Sequence, residues 1–487
     1  MSRRYFTSRP LLLAGAALGL LAIMLCLYVP LKWYWQNQSA EQTARSTPTM
    51  TVFVHGTFGS LLGFLSFSDV LNDRISGSLY RAATKKMRMD DFFFKDQPIL
   101  DRGLKRVRPT MDLAEAGNKK YAAFPLAKAY ETIAKAVHPD QEHDLFYTFG
   151  WTGSMSQQSR RFEAIRFYNA LQEELAQLAK DGMYPRIRLV AHSHGGNLCL
   201  NLAAVQMALQ AGTFDQKHVF SSDPDEQESV EKMSALFTEL TTQEIAKTRV
   251  DQKVYDYVPQ KNSLVIDQLI MLGTPIQPET ESFCYAPIFK TVYNLYSDED
   301  VVQKIDWVTS KKALSSARIT KKPPLSLVKA GRMARVVQAR IIAHEQAAKT
   351  KQASLEEEQS VFTQLLAGKN IFVRNSADPT HKELWFFSWD DVPQTVALPI
   401  APLPILVLLP MITKALNQQA FTNALVRLEQ TESTFSVVAS ETKKNLSATV
   451  SMPRTTLNTL REQARAWAPN DPHGKLEFEA VYKHVIG

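Results

Sequence analysis

The chain has 487 residues, of which 45% are hydrophobic and 22% charged, and it carries a net charge of +7. This balance excludes a wholly disordered chain, and three cysteines exclude a disulfide-knit scaffold. A mildly basic surface favours anionic partners such as acidic lipid headgroups; a nucleic acid partner is not expected.

At the N-terminus, residues 11–29 form 19 consecutive apolar positions. As a helix they would be about 28 Å long, close to the thickness of a bilayer's hydrocarbon core. Arg3, Arg4 and Arg9 precede the run, and Lys32, Trp33, Tyr34 and Trp35 follow it. This flanking pattern predicts a single transmembrane helix with a cytoplasmic N-terminus and the remaining chain across the membrane. A cleaved signal peptide is the rival reading. It would have a shorter apolar core, and Gln38-Ser39-Ala40 is a poor cleavage site, so an uncleaved anchor (1–35) is favoured. A polar linker, 36–48, leads to the body.

Short β-rich runs then alternate with helical stretches. Strands are expected at 51–54, 144–149, 186–191, 263–272 and 291–296, with one or two more at 370–373 and 384–389. Apolar residues at near-helical spacing predict a helix over 159–180, and 197–210 reads as a buried helix because it is apolar almost all round. Alternation of this kind predicts an α/β fold with a mainly parallel sheet flanked by helices, spanning 49–392. Residues 61–143, 212–262 and 304–369 read as large, partly helical insertions. Within the last, 304–351 holds twelve Lys or Arg against Asp306 and Glu345, a solvated helical face or a surface for anionic lipid. Residues 393–487 read as a C-terminal extension. They open on an apolar run, 396–412, whose Pro399, Pro402, Pro404 and Pro410 argue against a spanning helix and for a buried or interfacial extended segment. Cys199 reads as a buried apolar residue; one bridge to Cys284 is compatible with the sequence.

The strongest chemical signal is RIRLVAHSHGG at 186–196. A strand runs into Ser193 and a helix starts at once, which puts the serine on a tight turn. The positions two before and two after must be small there, and Ala191 and Gly195 are. The helix start also places partial positive charge where an oxyanion would form. A plain serine cap on a helix is the alternative, and a buried strand on one side with an apolar helix on the other argues against it. A second signal is VFVHGTFGS at 52–60.

Together with Trp151-Thr152-Gly153-Ser154-Met155-Ser156, Arg160 and Leu272-Gly273-Thr274-Pro275, these segments resemble the lipase/esterase branch of the α/β-hydrolase superfamily. The resemblance runs in order over about 51–303 and departs at Thr152, Met155 and Ala191. It implies an α/β-hydrolase fold with Ser193 as nucleophile. It also implies an oxyanion hole built from the backbone N–H of His194 and of Thr57 or Phe58. The acid follows a strand after the nucleophile; Asp298, Glu299 and Asp300 stand there, and Asp300-Val301-Val302 fits the family best, with Asp298 second. The base is a histidine beyond the acid, chosen from His344, His381, His473 and His484. His381 is preferred because it lies in the loop 376–381 after an expected strand. His192 and His194 read as packing or hydrogen-bonding residues, and no metal or cofactor is implied. The expected substrate is a membrane lipid or other acyl ester. Acyl transfer, or a hydrolase-like module that only binds, are the alternatives.

Overall fold

A computed structural model describes residues 47–56, 103–111, 123–139, 144–151, 153, 157–210, 231–232, 235, 247–250, 253–256, 263–300, 316–343, 378–387 and 398–467. Residues 11–29 lie outside this set. Among the described residues no helix is long and apolar enough to cross a membrane.

Among the described residues twelve strands are formed: β1 (Thr49–Val54), β2 (Leu104–Val107), β3 (Leu145–Phe149), β4 (Arg186–His192), β5 (Lys247–Val250), β6 (Lys253–Asp256), β7 (Ile266–Leu272), β8 (Phe289–Tyr296), β9 (Arg335–Ile342), β10 (Asn423–Gln430), β11 (Thr434–Glu441) and β12 (Leu446–Pro453). Ten of them make one mixed sheet in the order β12-β11-β10-β9-β8-β7-β4-β1-β3-β2, and β5 pairs with β6 separately. From β3 to β10 every neighbouring pair is parallel; β2, β11 and β12 are antiparallel additions at the two edges.

Helices cover both faces. The helices α1 (Ala123–Val137), α5 (Leu409–Asn417) and α6 (Arg454–Trp467) share one apolar cluster with Phe53, Val190 and Ile270. On the other face α2 (Gln157–Lys180) and α3 (His194–Gln210) pack with Val52, Leu189 and Met271. Neighbouring residues of one strand thus enter different clusters, which is why the central strands are apolar without alternation. The short helix α4 (Leu325–Ala330) precedes β9.

The five best-defined expected strands all form, within a few residues of their expected bounds. Four expectations are corrected. The regions 61–143 and 304–369 are not simply insertions: they supply β2, α1 and the central strand β9. Residues 393–487 are no appendage, because β10, β11 and β12 continue the same sheet beyond β9. The proline-rich run is buried as expected but not extended throughout. Ile405–Leu408 form a 3₁₀ turn, and Pro410 sits in the first turn of α5, where its missing N–H costs nothing. Residues 384–387 lie in a turn instead of a strand, and 370–373 lie outside the described set. Cys199 and Cys284 are buried free thiols, and burial raises the pKa of both.

Near the starts of the central strands a polar network is sealed under α1. Arg188 Nη1 donates to Asp144 Oδ2 at 3.0 Å and to Tyr130 Oη at 2.9 Å, while Thr51 Oγ1 donates to Asp144 at 3.1 Å. Burial pushes the Tyr130 phenol up to about 12, so it stays neutral.

Candidate active site

Parallel strands share one direction, so the C-terminal ends of β1, β4, β7 and β8 open on the same edge of the sheet. The groups singled out by the sequence converge there. Ser193 joins β4 to α3 with φ of 51°, a left-handed conformation rare for a residue with a Cβ. Its N–H donates to the Leu272 carbonyl at 2.9 Å, and Gly196 N–H donates to the Ser193 carbonyl at 2.9 Å. The small residues after it have identifiable causes. A Cβ on Gly195 would overlap the His55 carbonyl oxygen, and one on Gly196 would overlap the Thr274 side chain. A Cβ on Gly56 would come within 2.6 Å of the Ser193 Cβ.

Asp300 is fully buried beyond the end of β8. His381 presents Nδ1 to Asp300 Oδ2 at 2.8 Å. A carboxylate at Nδ1 favours the tautomer with its proton there, the one a general base needs. Asp298, the second candidate for the acid, is half exposed and paired with Arg340 at 2.8 Å. Thr57 and Phe58, and also His344, His473 and His484, lie outside the described residues. His194 opens α3, so its N–H is one of the four that a helix leaves without an internal acceptor.

The residues of the LGTP segment divide the work of assembly. Leu272 accepts from Ser193. Gly273, with φ of 59°, passes against both Asp300 and His381, and a Cβ there would lie 2.5 Å from Asp300 Oδ2 and 3.1 Å from His381 Nδ1. Thr274 fills the space beside Gly196. The Pro275 carbonyl accepts from Asn197 Nδ2 at 2.8 Å, which ties the loop to α3. Of the Trp151 segment, Trp151 Nε1 donates to the His55 carbonyl at 2.8 Å and its ring stacks on His55 at 5.4 Å. Arg160 is buried and donates to Gln277 at 3.0 Å.

His192, read as a packing or hydrogen-bonding residue, does both. His192 Nε2 lies 3.0 Å from the His381 carbonyl oxygen, and its ring is 4.3 Å from the His381 ring and stacked on Trp385 at 5.3 Å. Burial, and then the neighbouring His381, hold His192 well below the usual histidine range. It is therefore neutral, and its Nε2–H donates to the loop that carries His381. The flanking position beside Ser193 was the only sequence signal for this role.

No protein-family model, curated protein or solved structure matches the chain.

Proposed function

We propose that the protein is a membrane-anchored serine hydrolase of the α/β-hydrolase type that cleaves carboxylic esters of lipid-like substrates. The observation that carries this reading is the Asp300–His381 bond of 2.8 Å at the strand edge that also bears Ser193, whose backbone is left-handed and whose neighbour His192 reaches the His381 carbonyl. The reading also draws support from the strand order, in which β4 sits between β1 and β7 with Ser193 at its C-terminal end. The apolar run at 11–29 supports the anchor.

In this mechanism Ser193 Oγ attacks the ester carbonyl while His381 Nε2 takes its proton. Asp300 holds the imidazole by Nδ1 and stabilises the imidazolium that forms. The tetrahedral oxyanion accepts from the His194 N–H and from a backbone N–H at Thr57 or Phe58; each such donor is worth roughly 3 kcal/mol of transition-state stabilisation. The imidazolium then protonates the leaving alkoxide. Water attacks the acyl-serine by the same route in reverse and releases the acid. Hydrolysis and transfer to an alcohol share this acyl-enzyme.

A fluorophosphonate probe tests the reading. The folded chain is expected to label, and Ser193→Ala is expected to abolish labelling. An unlabelled folded chain, or equal labelling of the variant, would refute it and favour a module that only binds.

A further inference from the structure

Among the described residues five large apolar side chains are exposed: Tyr184, Val265, Leu325, Val328 and Met333. All five lie at the same edge of the sheet. Tyr184 stands two residues before β4 and Val265 one residue before β7, while Leu325, Val328 and Met333 lie on or just after α4, immediately before β9. The segment before β9 is held at this edge by Tyr285, just ahead of β8. Tyr285 Oη donates to the Lys321 carbonyl at 2.9 Å, and its own carbonyl accepts from Ala334 N–H at 3.1 Å. Strands β4, β7, β8 and β9 are consecutive, so at about 4.8 Å per neighbour the patch runs roughly 14 Å along the edge. The candidate active site is at the opposite, C-terminal edge.

Leu325 is 75% exposed and Tyr184 72%, far beyond the usual exposure of such residues. Around α4 the exposed charges are Lys322, Lys329 and Arg332, with no acidic residue between 307 and 344. Asp267, farther along, is already paired with Lys290 at 2.6 Å, and Asp181 is exposed in the turn before Tyr184. By contrast, Arg318, Arg335 and Arg340 of the same basic stretch serve the fold, on Tyr296, Asn417 and Asp298. The chain also enters the domain at this edge, through Thr47 and Pro48 into β1. The 17 residues from 30 to 46 span at most about 60 Å, which keeps the domain close to any membrane that 11–29 enters.

We infer that the edge formed by Tyr184, Val265 and α4 lies on the surface of an anionic phospholipid bilayer, with Leu325, Val328 and Met333 inserted and Lys322, Lys329 and Arg332 on the headgroups, so that the candidate active site faces away from the membrane. Apolar tips ringed by cations suit the boundary between acyl chains and acidic headgroups. The inference rests on the anchor reading and not on the esterase chemistry.

The full chain is reconstituted in phosphatidylcholine vesicles containing about one quarter phosphatidylglycerol. A bimane label is placed by Val328→Cys or, at the other edge, by Lys382→Cys, with the parent chain as blank. Doxyl-labelled lipid is expected to quench the first label at least threefold more than the second. Lys322→Glu, Lys329→Glu and Arg332→Glu combined are expected to bring the two within twofold, with unchanged circular dichroism. Equal quenching, stronger quenching at 382, or no response to the charge changes would overturn the inference. So would a disulfide between introduced cysteines of two copies without quenching, which would assign the face to self-association. Flotation with the vesicles reports the anchor separately, and a chain that fails to float overturns both. Fluorophosphonate labelling of the same samples reports the hydrolase reading independently.

Discussion

Asp300 and His381 are 81 positions apart in the chain, yet Asp300 Oδ2 and His381 Nδ1 meet at 2.8 Å with the carboxylate fully buried. A buried carboxylate on Nδ1 fixes both the orientation and the tautomer of the imidazole. Asp300→Asn keeps the shape but favours the wrong tautomer. Ester turnover is expected to fall by roughly three to four orders of magnitude, with the fold intact by circular dichroism. Asp298→Asn, which touches Arg340 instead, is expected to change turnover less than about twofold.

His192 ties the turn at Ser193 to the His381 loop. His192→Phe retains a ring against Trp385 and removes the donor to the His381 carbonyl, and the expected loss is roughly 10- to 100-fold in kcat with little change in KM. His192→Gln, which can restore an N–H donor, is expected to recover most of it. Near-normal turnover in His192→Phe with a defect in His192→Gln would point to ring packing alone.

The same residue couples stability to acid. Its folded pKa lies well below the unfolded value of 6.5, so the unfolded chain binds the proton first. Its contribution is fully present above pH 6.5 and is lost as pH falls from there toward the folded pKa. Urea unfolding of the wild type is expected to weaken over that window, and the His192→Phe chain is expected to show a shallower slope.

Two glycines with nearly the same backbone separate conformational cost from site geometry. Gly273 has φ of 59° and crowds Asp300 and His381; Gly331 has φ of 62° with nothing within 4 Å of a built Cβ. Alanine at either is expected to cost about 1–2 kcal/mol for the left-handed backbone. Only Gly273→Ala is expected also to reduce turnover by 100-fold or more, as measured beside Gly331→Ala at matched folded fractions.

Arg188 answers the buried Asp144 carboxylate at 3.0 Å. Arg188→Met leaves that carboxylate without its counter-charge, and the expected destabilisation is about 3–5 kcal/mol in urea unfolding. Arg188→Met with Asp144→Leu is expected to recover part of this loss, since removing both charges spares the desolvation penalty.

The candidate site was legible because its residues sit where local patterns change. Ser193 follows an apolar strand and precedes an apolar helix, and Asp300 follows another strand end. His381 was harder. The strand expected after it is a turn, and residues 370–373 lie outside the described set, so its position is explained by its contacts with Asp300 and His192. Strand β9 was hidden by composition. Its sequence RVVQARII carries Arg335, Gln338 and Arg340, which look like a solvated helix but are consumed by Asn417, Ile319 and Asp298. The C-terminal strands were readable in principle. In β12 buried and exposed residues alternate, the period-two signal of a half-covered strand, but the adjoining proline-rich run drew attention from it.

The continuity of the sheet into β10, β11 and β12 sets the order in which the molecule can be made. The pairing of β1 with β4 waits for residue 186, and the last strand is not complete until residue 453 has emerged. Parallel neighbours so distant in sequence cannot form as local hairpins, and until β10 is made β9 is an edge strand with unpaired backbone groups. Ser193 at the end of β4 and Asp300 beyond β8 are therefore laid down before the strands that extend their sheet past β9.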